Sequence, residues 1–157
     1  LVVKSGSKWF KGDDRGLLVG TYDHRMDSKG RLVLPSRFRD ELGDRLVATV
    51  GIDSCVSIYG LPGWRSFFEK LSALSSARAG CRDVKRLLMA SAVEIDVDSM
   101  GRVLIPPFLR EHASLNREIS VIGVGDHVEI WDKELWEARR LQIISELPAI
   151  MEGVGGL

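Results

Sequence analysis

Asp27-Ser28-Lys29-Gly30-Arg31-Leu32-Val33-Leu34-Pro35 recurs 71 residues later as Asp98-Ser99-Met100-Gly101-Arg102-Val103-Leu104-Ile105-Pro106. Phe38-Arg39 recurs as Leu109-Arg110, and after a one-residue slip Gly51 aligns with Gly123, Val56 and Ile58 with Val128 and Ile130, Tyr59 with Trp131, and Trp64 with Trp136. A period near 71 exceeds the roughly 20 to 50 residues of a solenoid unit, so the chain divides into two halves of one duplicated pattern. The first repeat spans 17–75 and the second 90–147. A linker helix, 76–89, joins them, 148–157 forms a C-terminal tail, and 1–16 is an N-terminal tail or expression remnant.

Each half has the same punctuation. Asp27 and Gly30 suit a tight reversal, because the Asp side chain can accept from backbone N–H groups just ahead and Gly supplies positive φ. The reading is a hairpin joining a strand at 19–26 to one at 31–34. Pro35 ends that strand and opens a short helix over 36–42, since a missing N–H is harmless in a first helical turn. Two β-branched runs follow, 45–50 and 55–59, and then a helix over 62–74. The second half repeats the order, with strands near 91–97, 102–105, 117–122 and 127–131. Its last helix starts at the N-cap Asp132 and is expected to stop at Pro148. The fold class is mainly β with short helices (α+β).

The 157 residues carry 22 Lys and Arg against 22 Asp and Glu, with 45% apolar content. That supports a packed core and argues against a polybasic or a disordered chain. Cys55 and Cys81 lack CxxC spacing, so neither a zinc site nor a disulfide framework is indicated. No apolar run approaches the roughly 18 residues of a membrane span, and the first residues lack a signal-peptide core, so the expected location is the cytoplasm.

Catalytic patterns are weak. His24, His112 and His127 fall at unmatched positions, and no triad, metal or cofactor constellation emerges. Gly123-Val124-Gly125-Asp126 has a phosphate-loop flavour but joins two strands, so it reads as a hairpin turn. Cys55, in an apolar strand, reads as inert core. Around the linker, Arg78, Arg82, Lys85 and Arg86 read first as a solvated helix face, with phosphate or subunit contact as the alternative.

The informative signal is local charge. Residues 25–39 hold Arg25, Lys29, Arg31, Arg37 and Arg39 against Asp27, a net of +4, whereas the equivalent window 96–110 holds Arg102 and Arg110 against Asp96 and Asp98 and is neutral. Fold requirements act on both halves alike, so the excess points to an anionic partner. Arginines at a turn neutralise phosphates and can reach the acceptors of guanine. For Asp27 with Arg31, and Asp98 with Arg102, the competing reading is an internal pair that holds each turn together. Lys29, replaced by Met100 in the second copy, is freer of that role.

The motifs around Gly20-Thr21-Tyr22-Asp23-His24, the doubled Asp-x-x-Gly-Arg and Val124-Gly125-Asp126 with Glu129-Ile130-Trp131 resemble the bacterial MraZ family over about 17–140. The resemblance implies an AbrB-like fold, a duplicated swapped-hairpin β-barrel with flanking helices in which the repeats interlock about a pseudo-two-fold axis. It implies a transcriptional regulator of the division and cell-wall gene cluster that assembles into rings and binds tandem direct repeats of a short G-rich box in its own promoter. The family's DNA-contacting Lys and Arg fall on Lys29 and Arg31.

The expectation is therefore a non-enzymatic, nucleoid-associated DNA-binding regulator, a repressor, acting as a ring-shaped homo-oligomer on double-stranded DNA. Neither a membrane nor a small-molecule substrate is expected. Its DNA-binding residues are Lys29, Arg31, Arg25, Arg37 and Arg102, while Asp27, Gly30, Asp98 and Gly101 build the turns. The alternative is an oligomeric interaction protein that regulates a partner by contact. The apolar helix faces, Trp64, Phe67, Phe68 and Leu71 in one half and Leu135, Trp136, Ile143 and Ile144 in the other, suit either core packing or a subunit interface.

Overall fold

A computed structural model describes residues 17–156, and the expected N-terminal tail lies outside the described residues. The first half runs β1 (Leu18–Arg25), β2 (Arg31–Val33), α1 (Ser36–Leu42), β3 (Arg45–Val50), β4 (Val56–Gly60) and α2 (Leu61–Ser72). α3 (Ala79–Ala90) links it to β5 (Val93–Asp96), β6 (Arg102–Leu104), α4 (Pro107–His112), β7 (Glu118–Gly125), β8 (Val128–Asp132) and α5 (Lys133–Val154).

The strands are exchanged between the halves. A six-stranded sheet has the order β1-β7-β8-β4-β3-β5, and β2 pairs with β6 in a separate two-stranded ribbon. The turn expected at residues 27–30 is present, closed by Gly30 N–H to Asp27 O at 3.0 Å and Asp27 N–H to Arg31 O at 2.9 Å. The strands it joins, however, do not form the expected hairpin: β1 lies against β7 and β2 against β6. The same holds in the second half, where β5 pairs with β3. Pairing across the halves brings Leu32, Leu34 and Phe38 into one core with Val103, Ile105 and Leu109, all at most 1% exposed. A half of about 60 residues closed on itself would bury a smaller share of its surface.

Leu32 faces Val103 at the centre of the ribbon, and Ser57 faces Glu129 at the centre of the β4 and β8 pair. These two points mark the pseudo-two-fold axis. The register corrects one alignment made from sequence: Val50 opposite Val56 corresponds to Gly123 opposite Val128, so Gly51 is matched by Val124 rather than Gly123. The difference arises between helix and strand. After the positive-φ residues Gly43 and Ser114, the first half has Asp44 alone where the second has Leu115, Asn116 and Arg117.

Each turn is covered by an arginine of the other half. A Cβ placed on Gly30 would lie 2.7 Å from the Arg110 guanidinium carbon, and one on Gly101 would lie 2.7 Å from that of Arg39. Both glycines have positive φ, +88° and +76°. The main chain is stitched across the same places, with Leu34 N–H donating to Gly101 O at 3.0 Å and Ile105 N–H to Gly30 O at 2.9 Å.

The flanking helices differ. Tyr59 stacks on Phe67 of α2 at 5.0 Å and meets Trp64 edge-on, and Leu71 is buried, so one face of α2 packs on the core while Phe68 stays exposed. α5 starts as expected, with Asp132 Oδ2 accepting from Leu135 N–H at 3.3 Å, but it runs through Pro148 to Val154 instead of stopping there. The carbonyl that Pro148 leaves without a donor lies on an exposed helix, where water can reach it. Apart from Trp136, which packs on Trp131 at 5.4 Å, its apolar residues Leu141, Ile144, Leu147 and Met151 are exposed.

Gly30→Ala and Gly101→Ala should each cost about 1–2 kcal/mol of backbone strain and in addition displace an arginine. Repeating each change with its covering arginine removed, Gly30→Ala with Arg110→Ala and Gly101→Ala with Arg39→Ala, leaves the strain alone. In urea unfolding each glycine change should therefore cost less in the arginine-free background; equal losses would show that the arginine covers contribute nothing.

Candidate nucleic-acid interface

The two turns are built alike from their aspartates. Asp27 Oδ1 accepts the backbone N–H of Lys29 and of Arg31, both at 2.9 Å, and its Oδ2 accepts Arg31 Nε at 2.7 Å. Asp98 repeats this with Met100 N–H and Arg102 N–H at 2.9 Å and Arg102 Nε at 2.8 Å. Both carboxyls are held below the usual aspartate range, chiefly by the Arg31 and Arg102 backbone N–H groups and then by the guanidinium partners. The internal ion pair weighed from sequence is thus present in both halves. It occupies the Nε edge of each guanidinium and leaves the terminal nitrogens as donors.

Alternation along the ribbon decides what faces out. Leu32 and Val103 point into the core, so Arg31 and Val33 share the outer face with Leu104 and Arg102, which stand opposite them. The outer surface is a pair of aspartate-anchored arginines flanking two apolar residues, Val33 at 40% exposure and Leu104 at 51%. Sequence reasoning missed this apolar centre, although the period of two in a short strand implies it.

Strand exchange also redistributes the cations counted by sequence window. Lys29 is exposed at the tip of the first turn. Arg25, at the end of β1, lies 3.5 Å from Glu118. Arg37 and Arg39 lie on α1, which follows directly from the residue bonded to Gly101, so they stand by the second turn; Arg39 also donates through Nε to Leu34 O at 3.1 Å. The +4 window is therefore split between the two turns. The first turn instead gains Arg110, with Arg117 beside it in a depression lined also by Met26, Asp27, Ser28, Leu115 and Asn116. Where the first half has Lys29 and Arg37, the second has exposed Met100 (67%) and Phe108 (45%).

The remaining singled-out residues have local roles. His112 Nε2 lies 3.2 Å from Gly51 O and 3.3 Å from Asp53 O. His127 sits between Asp126 at 2.7 Å and Glu129 at 3.6 Å and stacks on Tyr59 at 4.6 Å. Burial alone would lower the His127 pKa, but hydrogen bonds to the two carboxylates outweigh it and raise the pKa. Cys55 is buried, and that burial pushes its thiol well above the usual range, as suits inert core. Arg82 and Lys85 donate to Ser76 O and Leu74 O, and Arg86 pairs with Asp83, so three linker cations tie α3 to its own surroundings. Among the described residues, no group of His, Cys, Asp and Glu could hold a metal ion, and no helix is long and apolar enough to cross a membrane.

These features define a two-repeat protein whose halves exchange strands and present a pair of Asp-anchored arginines on one ribbon. The family described as "MraZ protein, putative antitoxin-like" matches residues 17–87 and again residues 88–149. The transcriptional regulator MraZ of Caldanaerobacter subterraneus subsp. tengcongensis is 46% identical over 121 residues, 77% of this chain and 85% of its own length. That of Lachnoclostridium phytofermentans is 40% identical over 139 residues, 88% of this chain and 98% of its own. The chain belongs to the MraZ family, a family of transcriptional regulators rather than enzymes.

The sign of each shift fixes a pH dependence. Stabilisation from Asp27 and Asp98, whose folded pKa values are depressed, is present above the usual aspartate range and is lost as pH falls through the lower folded values. That from His127, whose folded pKa is raised, is present below the usual imidazole value and is lost as pH rises through the higher folded one. Stability should thus plateau between these limbs. In NMR titration Arg31→Ala should raise the Asp27 pKa only in part, because the backbone donors remain; a full return to the ordinary value would contradict the dominance of the main chain.

Proposed function

We propose that this protein is a sequence-specific DNA-binding transcriptional regulator, a repressor of the division and cell-wall gene cluster. It acts in the cytoplasm at the nucleoid, as a ring-shaped homo-oligomer on tandem short repeats in its own promoter. The observation that carries this reading is the outer face of the β2 and β6 ribbon, where Asp27 and Asp98 preset Arg31 and Arg102 with their terminal donors free. Guanidiniums fixed before binding lose less freedom on contact with phosphates or with guanine O6 and N7. Lys29 at the exposed tip adds a mobile charge, and Arg25 and Arg37 extend the cationic surface towards the strand end and α1.

One ribbon makes few phosphate contacts, and such binding weakens steeply with salt. A ring that presents several ribbons to successive boxes makes later contacts intramolecular and raises affinity by roughly 10² to 10⁴. The exposed apolar residues of α5 offer a surface for subunit contact. One observation favours the competing reading, regulation of a protein partner by contact: exposed Met100 and Phe108 stand where the first half has Lys29 and Arg37, and exposed Leu104 adds to that apolar surface.

Lys29→Ala and Arg31→Ala should each abolish or sharply weaken the gel shift of a promoter fragment carrying repeated boxes, with the oligomeric mass retained. Unchanged binding by both would remove the assignment and favour the protein-contact reading. In a companion series with one to four boxes at varied spacing, affinity should climb with box number and depend on spacing; indifference to both would eliminate the ring mechanism.

A further inference from the structure

The two cross-half arginines, Arg39 and Arg110, occupy equivalent positions but are not equally engaged. Arg39 spends its Nε on Leu34 O at 3.1 Å. Arg110 makes no matching bond, and its covered Nε has no partner among the described residues. Its guanidinium lies over Gly30 and borders two adjoining depressions, one of about 500 Å³ between the first turn and Asn116 and Arg117. Arg117 is exposed and its side chain has no ion pair among the described residues; its backbone carbonyl, which accepts from Met26 N–H at 2.7 Å, fixes its segment to the end of β1.

The depression exists on this side because Leu115, Asn116 and Arg117 stand where the first half has Asp44 alone. The inserted link therefore brings a cation to the first turn, while its counterpart in the first half is an acid. The acids near the depression are few in effect. Asp27 is bonded to Arg31 and two backbone N–H groups, Glu118 faces Arg25, and Glu111 lines the neighbouring depression rather than this one. Ser28 and Asn116 contribute neutral hydrogen-bonding groups to the wall.

We infer that the depression between the first turn and residues 115–117 receives a backbone phosphate of bound DNA, held by the terminal nitrogens of Arg110 and by Arg117. This inference rests on the proposed DNA-binding function and deepens it. Lys29 and Arg31 engage the strand from the ribbon side of the turn, and Arg110 and Arg117 engage it from the other side. A phosphodiester carries one charge and two free oxygens, which suits two guanidiniums converging from different segments. Because the second turn has Asp44 in place of the inserted link, the clamp belongs to the first turn alone.

The test is DNA binding by the full chain at several salt concentrations, comparing the unaltered protein with Lys29→Ala, Arg117→Gln and the double variant Arg110→Gln with Arg117→Gln. On a fragment with a single box the double variant should bind about tenfold more weakly, by the same factor for every box sequence, and the slope of log K against log salt should fall by roughly 0.9, the loss of one phosphate contact. Arg117→Gln alone should shift the slope in the same direction, and because its side chain makes no hydrogen bond or ion pair among the described residues it decides the matter if Arg110→Gln perturbs folding. If Lys29→Ala weakens binding while Arg117→Gln and the double variant keep the original slope and affinity, the phosphate site is refuted and the DNA-binding function stands. If the unaltered protein fails to bind promoter DNA, both fall together.

Discussion

Across the β2 and β6 ribbon, Leu32 and Val103 meet on the pseudo-two-fold axis, and most of the architecture follows from that contact. Each residue lies on a strand of only three residues, too short to be stable without a partner. Bringing the two together draws both turns into place, stitches Leu34 to Gly101 and Ile105 to Gly30, and lays Arg39 and Arg110 over the opposite glycines. It also turns Arg31 and Arg102 outward, since alternate residues on a strand must face opposite sides. The same geometry that buries the core therefore creates the cationic face.

The aspartates illustrate how a residue can serve fold and recognition together. Asp27 and Asp98 satisfy backbone donors that the tight turn would otherwise leave unpaired, and the geometry that does so also fixes an arginine. An acid beside an outward-facing arginine lowers the net charge of the surface. It also removes rotamer freedom that binding would otherwise have to freeze, so part of the lost attraction is returned as order already in place.

Much of this was legible in the residues. The repeat, the turn at Asp27 and Gly30, the helix opened by Pro35 and the cap at Asp132 all have local causes, and local causes leave local marks. The exchange of strands does not, and only the family resemblance implied it, because Arg31-Leu32-Val33 has the same alternation whether its partner is β1 or β6. For the same reason the cation count went astray: Arg39 is close to Lys29 in sequence but covers the other turn, and Arg110 makes the reverse journey. Pro148 misled in a different way, since the cost of proline in a helix depends on whether water can reach the freed carbonyl. The link Leu115-Asn116-Arg117 is two residues longer than Asp44 alone, and a following loop one residue shorter leaves only a one-residue slip, which tells neither where the extra residues fall nor what they face.

Duplication within one chain has a consequence for direction. Two identical subunits related by a true dyad must offer the same side chain at both ends of their shared ribbon, and a surface of that kind has no head or tail. Here Lys29 corresponds to Met100, Arg37 to Phe108, and Asp44 to the longer segment ending in Arg117. Covalent fusion released the halves from that identity and gave the ribbon a polarity. A surface with polarity distinguishes the two directions of any elongated partner laid along it, which a dyad-symmetric ribbon could not do.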